Sequence, residues 1–188
     1  MKNAIIFHGG GNDSSGNWFP WLKKELEKHG YKVWVPDFPD SEYPDQKKWT
    51  SVIFNKKWQF TDETVLVGHS AGATMILRIL EQLPEGIKIH KAILVSGPAN
   101  LGSKPEFYHY KEGYLKDPFD WQKIKRSSGK FAYFYSDNDP YDCGVDQGKI
   151  FQEHLGGDMM LMRGEGHFNL EKGPQYNKFP EILEKILE

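Results

Sequence analysis

Short apolar runs alternate with longer amphipathic stretches along the whole chain. The runs at 4–7, 32–35, 64–67, 91–95, 131–135 and 158–162 have strand length and β-branched or aromatic character. The intervening stretches at 17–29, 46–57, 71–83, 144–155 and 176–187 carry apolar residues at helical spacing, and a short helix is expected around Phe119 to Lys125. Strands that alternate with helices predict an α/β architecture, a mostly parallel central sheet with helices on both faces. No internal repeat, low-complexity tract or linker interrupts the pattern, so a single domain over 1–188 is expected. The least regular stretch, Gly97 to Asp120, is rich in Gly, Pro, Tyr and Phe. As an insertion after a strand it would lie over a site at the sheet edge, with Phe107, Tyr108, Tyr110, Tyr114 and Phe119 either lining an acyl pocket or covering core edges.

The junction between the third run and the helix after it carries the chemistry. Gly68-His69-Ser70-Ala71-Gly72 joins Thr64-Val65-Leu66-Val67 to a helical stretch towards Leu83, the context of a nucleophile elbow. A serine is a weak nucleophile at its free pKa and must be presented to a base; a tight strand-to-helix turn does this, and glycines at both ends let strand and helix approach closely. In this fold the acid and then the histidine follow the serine along the chain. Ser136-Asp137-Asn138-Asp139-Pro140 comes just after the run at 131–135, and Gly166-His167-Phe168 just after the run at 158–162. His167 would take the serine proton and return it, which suits a side chain that titrates near neutrality when free. Asp137, Asp139 and Asp142 compete to orient it. Asp139 is favoured because Pro140 holds the preceding residue out of helical geometry and in a projecting turn; Asp137 is the alternative, and Asp142 reads as an Asx-turn or helix cap.

Acyl transfer also needs donors for an oxyanion. One is expected from the amide of Ala71 and the other from the loop His8-Gly9-Gly10-Gly11, where Gly10 is the first choice and Gly9 the second. The same loop, with Asp37 beyond the second run, imitates a dinucleotide-binding fingerprint. The third glycine is replaced by Ser14, and loop residues rather than a helix follow, so the pyrophosphate would lose its main partner.

Composition narrows the partners. A formal net charge of −2 gives no electrostatic reason for nucleic acid or an anionic membrane, and paired lysines such as Lys23-Lys24 read as solvated faces. The apolar run before His8 is only four residues long, and no run approaches a membrane span, so a cytoplasmic location is expected. Cys143 is the single cysteine, so no internal disulfide forms, and the aspartates around it disfavour a nucleophilic thiolate. The other histidines are scattered without ligand spacing, and no metal is expected.

Together these stretches resemble the small serine hydrolases related to the retinoblastoma-binding-protein hydrolase and its bacterial relatives, within the α/β-hydrolase superfamily. The matching segments are His8-Gly9-Gly10, Trp18-Phe19-Pro20-Trp21-Leu22-Lys23-Lys24-Glu25-Leu26, the elbow, Leu94-Val95-Ser96, Trp121-Gln122-Lys123-Ile124, Ser136 to Pro140 and Gly166-His167-Phe168. The resemblance implies an α/β-hydrolase fold with minimal or no cap domain, a triad of Ser70, Asp139 and His167, no cofactor, and a small ester-like or amide-like acyl substrate. Relatives carry an apolar residue and then a proline after the acid, whereas this chain has Tyr141-Asp142-Cys143-Gly144. A hydrolase-like module that works by binding a protein partner is the alternative, and loss of Ser70, His167 or the acid would favour it.

Overall fold

The computed structural model describes residues 1–188. Its centre is one six-stranded sheet, formed by β1 (Asn3–Phe7), β2 (Lys32–Trp34), β3 (Thr64–His69), β4 (Ile89–Val95), β5 (Ser128–Tyr135) and β6 (Asp158–Leu161) in the order β2-β1-β3-β4-β5-β6. All five strand pairs are parallel. The helices are α1 (Phe19–Lys28), α2 (Gln46–Asn55), α3 (Ala71–Gln82), α4 (Tyr108–Leu115), α5 (Trp121–Ser127), α6 (Val145–Leu155) and α7 (Pro180–Leu187). This is a small α/β-hydrolase fold.

Strand periodicity divides the core in two. Ile5, Phe7, Leu66, Leu94, Tyr133 and Tyr135 point to the face covered by α2, α3, α5 and α6, through Trp49, Ile76, Ile124 and Phe151 among others. Their neighbours Ala4, Ile6, Val65, Val67, Ile93 and Phe134 point to the opposite face, covered by Phe19, Leu22 and Leu26 of α1 and Ile182 and Ile186 of α7. Every residue of α3 from Ala71 to Leu80 is buried, which is why this helix reads as nearly continuous apolar sequence. Asp45 and Asp120 cap α2 and α5, accepting the amides of Lys48 and Lys123, both at 2.9 Å.

Differences from the sequence reading lie at element ends and in the insertion. β4 and β5 begin earlier than the apolar runs, and α7 begins at Pro180 because Pro174–Asn177 form a separate 3₁₀ turn. α4 was not anticipated: only Lys111 and Tyr114 of its eight residues are buried, so no apolar stripe marks it. No helix is long and apolar enough to cross a membrane. Because all strands run the same way, the segments after β1, β3, β5 and β6 emerge along one edge of the sheet, where a site can be assembled.

Candidate active site

The turn after β3 is built around Ser70, which sits at φ 54° and ψ −124° at the head of α3. A non-glycine residue holds such a backbone only when its surroundings enforce it. Here the Ser70 amide donates to the Val95 carbonyl at 2.8 Å, and its carbonyl accepts the Ala73 amide at 3.0 Å. A Cβ at Gly68 would lie 2.6 Å from the Cα and N of Ala73, and one at Gly72 would lie 2.3 Å from the His8 carbonyl oxygen. Both contacts are with backbone, which cannot yield, so this crossing of strand, helix and β1 loop requires glycine at both positions.

The loops after β5 and β6 are laced together. Three successive amides of the histidine loop are taken by three successive side chains of the acid turn: Gly164 donates to Asp137 Oδ1 at 2.8 Å, Glu165 to Ser136 Oγ at 2.9 Å and Gly166 to Asn138 Oδ1 at 2.7 Å. This brings His167 Nδ1 to 2.7 Å from Asp139 Oδ2, with the Asp139 side chain fully buried. Asp139 Oδ1 accepts the amides of Tyr141 at 2.8 Å and Cys143 at 3.4 Å. Burial pushes the Asp139 carboxyl up, but the adjacent His167, by charge and hydrogen bond, and the Tyr141 amide outweigh it and hold the group below the usual carboxylate range. Of the competing acids, therefore, Asp139 meets the imidazole, Asp137 braces the loop that carries it, and Asp142 faces the insertion.

Two side chains from α1's approach secure the histidine loop from below. Trp18 Nε1 donates to the Phe168 carbonyl at 3.1 Å, and Asn17 Oδ1 accepts the Leu170 amide at 3.1 Å. His69 does the same from inside the elbow: its Nε2–H donates to the His167 carbonyl at 2.7 Å. Burial, and secondarily the neighbouring His167, lower the His69 pKa to about 3, so the ring is neutral, packed and not a proton shuttle. Its place inside the elbow signals a side chain that packs rather than reacts, but not the carbonyl that it braces.

The glycine loop after β1 is held open by polar contacts of its own. His8 Nδ1–H donates to the Gly9 carbonyl at 2.8 Å while Nε2 accepts the Phe38 amide at 3.0 Å, which fixes the neutral tautomer; burial lowers its pKa. The Gly11 amide donates to the Ser41 carbonyl at 2.8 Å. No acceptor in a loop, turn or side chain takes the amide of Gly10 or of Ala71, and the latter, in the first turn of α3, has no intrahelical partner either. Gly9 serves a different need, since a Cβ there would lie 3.0 Å from Ser70 Cβ. Asp37, the ribose-binding position of a dinucleotide site, instead accepts the Ser14 amide at 2.7 Å, and α1 starts only at Phe19.

A cavity of about 410 Å³ opens over this edge, with Ser70, Ala71, Gly10 and His167 in its wall. Of the five insertion aromatics, Phe107, Tyr110 and Tyr114 line it. The other two do not: Tyr108 donates to the Gly102 carbonyl, and Phe119 lies under the Arg78 guanidinium at 3.9 Å, because each is held by its own partner away from the opening. Cys143 also reaches the cavity, and its thiol lies with Asp139 and His167 in a cluster spanning 4.8 Å. That group suits a metal poorly: His167 Nδ1 already bonds Asp139, and burial and the Asp139 charge push the thiol far up, keeping it protonated.

The chain is 30% identical over 175 residues to the hydrolase YdeN of Bacillus subtilis, covering 92% of this chain and 88% of the relative. It is 25% identical over 181 residues to the serine hydrolase RBBP9 of Rattus norvegicus, covering 95% and 89%. The crystal structure of the B. subtilis ydeN product superposes with a TM-score of 0.89 at 28% identity, covering 100% of this chain and 99% of that one. Est1E of Butyrivibrio proteoclasticus, solved with ferulic acid, shares the fold at a TM-score of 0.69 and 16% identity, covering 100% and 90%. The family model described as serine hydrolase matches residues 4–188, and the chain belongs to that family.

Proposed function

We propose that the protein hydrolyses small ester-like or amide-like acyl substrates through an acyl-enzyme on Ser70, without a cofactor. The observation that carries this reading is the 2.7 Å bond from His167 Nδ1 to a buried Asp139, in the wall of a cavity shared with the strained Ser70 turn. With Nδ1 bound to the carboxylate, Nε2 is the ring nitrogen free to act. Ser70 Oγ adds to the carbonyl carbon as Nε2 takes its proton, and the oxyanion accepts hydrogen bonds from the Ala71 and Gly10 amides. The tetrahedral adduct then collapses, breaking the bond to the leaving group, which takes the proton from the imidazolium. Water adds to the acyl-enzyme with His167 again as base, and collapse releases the acid and returns the proton to Ser70. Asp139 keeps the ring oriented and stabilises its cation.

Ser70→Ala should abolish turnover of short p-nitrophenyl esters by on the order of 10³-fold or more while leaving the circular dichroism spectrum unchanged. A fluorophosphonate probe should add to Ser70 in the wild type, read by intact mass and peptide mapping. A folded wild-type protein that the probe never labels would overturn the hydrolase reading and favour a protein-binding module.

A further inference from the structure

The wall of the cavity that bears Phe107, Tyr110 and Tyr114 belongs to the segment between β4 and α5, and packing alone does not hold it there. α4 is eight residues long and buries only two of them, too little to be stable as a helix by itself. One end of the segment is anchored by Arg78 of α3, which donates to the carbonyls of Tyr114 at 3.1 Å and Pro118 at 3.3 Å. The other end converges on a single carboxylate of the acid loop. Asp142 Oδ2 accepts the amides of Ser103 at 2.5 Å and Lys104 at 3.1 Å, and Oδ1 accepts the Ser103 hydroxyl at 3.1 Å.

Three further observations tighten that junction. A Cβ at Gly102, where φ is +81°, would lie 1.9 Å from Asp142 Oδ2, so the chain passes closer to the carboxylate than any side chain would permit. The buried Lys111 donates from α4 to the carbonyls of Leu101 at 3.3 Å and Asp142 at 3.2 Å, with its ammonium 4.0 Å from the Asp142 carboxylate. Lys104 Nζ donates to the Pro140 carbonyl at 3.1 Å. Partial burial works against the charge on Asp142, but the Lys104 and Ser103 amides prevail and hold the carboxyl below its ordinary range, so the contact is charged at neutral pH. On its far side α4 presses on the loop before α2, where a Cβ at Gly113 would lie 2.3 Å from the Pro44 carbonyl oxygen.

We propose that Asp142 is a positioning residue that docks residues 101–114 as a strap across the cavity and thereby sets which acyl groups the aromatic wall accepts. The proposal rests on the Ser70 hydrolase reading for its activity arm and on geometry alone for its docking arm. Releasing Asp142 leaves the strap hinged at Arg78, and the wall between the two anchors loses its position, whereas Ser70, His167 and Asp139 keep theirs.

The test uses Asp142→Ala, the milder Asp142→Asn, which retains an acceptor for the two amides, and Gly102→Ala, which breaks the same contact from the strap's side. The full-length variants are compared with wild type in kcat and KM for p-nitrophenyl acetate and phenylacetate, in fluorophosphonate labelling rate, and in tryptic cleavage after Lys111, the lysine of the strap that is not followed by proline. The wild type is expected to prefer phenylacetate because its wall is aromatic. In Asp142→Ala and Gly102→Ala that preference should fall on the order of ten-fold, mainly through the KM for phenylacetate, with cleavage several-fold faster and Asp142→Asn in between. Equal losses on both esters and in labelling, with cleavage unchanged, would make Asp142 a part of the acid loop and overturn the proposal. Faster cleavage with an unchanged preference would overturn it too, because the strap would then select nothing. A wild type that the probe does not label would sink the hydrolase reading, while the cleavage arm would still decide whether Asp142 docks the strap.

Discussion

Asp137, Asn138 and Asp139 are near neighbours with polar side chains of similar size, and backbone direction alone separates their work. Asp137 and Asn138 accept amides of the histidine loop, and Asp139 accepts the imidazole. An asparagine at 137 can still accept the Gly164 amide, so Asp137→Asn should leave most activity intact. Asparagine at 139 can neither stabilise the imidazolium nor hold its tautomer, and Asp139→Asn should lose on the order of 10⁴-fold in kcat for the same esters. The reverse ranking would move the acid to Asp137. Sequence made Asp139 the favoured acid through Pro140, but it left the roles of Ser136 and Asn138 invisible, because they depend on the path of a loop that lies far along the chain. His69 is the same kind of omission: a residue within the elbow whose partner, the His167 carbonyl, is set by tertiary approach.

At the scale of elements, periodicity located what packs and missed what is tied by polar contacts. The strands and α1, α2, α3 and α6 announce themselves by buried stripes, whereas α4 owes its place to Asp142, Lys111 and Arg78. Arg78 is the clearest case, a guanidinium only 1% exposed in the middle of an apolar helix. It pairs with Glu81 at 3.0 Å, donates to carbonyls of the insertion and stacks on Phe119, so its five donors are fitted to a planar, forked site. Arg78→Ala should cost about 3 kcal/mol or more in unfolding free energy, since it strands the buried Tyr114 carbonyl, the part-buried carbonyls of Asp117 and Pro118, and the Glu81 carboxylate. Arg78→Lys should recover only part of this, because an ammonium cannot span the fork. Urea unfolding of the two variants checks the order, and a lysine variant as stable as wild type would show that charge alone suffices.

For the whole molecule, the alternating pattern made a parallel sheet legible, and the chain order of serine, acid and histidine then placed all three on one edge of it. What the sheet also does is bury two histidines in neutral form beneath that edge, and this links folding to pH. His69 has its pKa lowered from 6.5 to about 3 by burial, and His8 is lowered for the same reason. In the unfolded chain both bind protons as pH falls below about 6.5, while in the folded protein they resist, so acid favours unfolding. Their contribution is fully present above the unfolded value and is lost as pH falls towards the folded one. Asp139, whose carboxyl is held low, adds a loss of the same sign below the usual carboxylate range. For His69 alone, a fall from 6.5 to about 3 makes the change across its window on the order of 5 kcal/mol. Urea midpoints should therefore decline steadily from pH 7 to pH 4. His69→Gln, which keeps a donor for the His167 carbonyl but does not titrate, should be less stable at pH 7 and yet show a distinctly shallower decline. Parallel curves for variant and wild type would mean that His69 is not the group that couples protonation to unfolding.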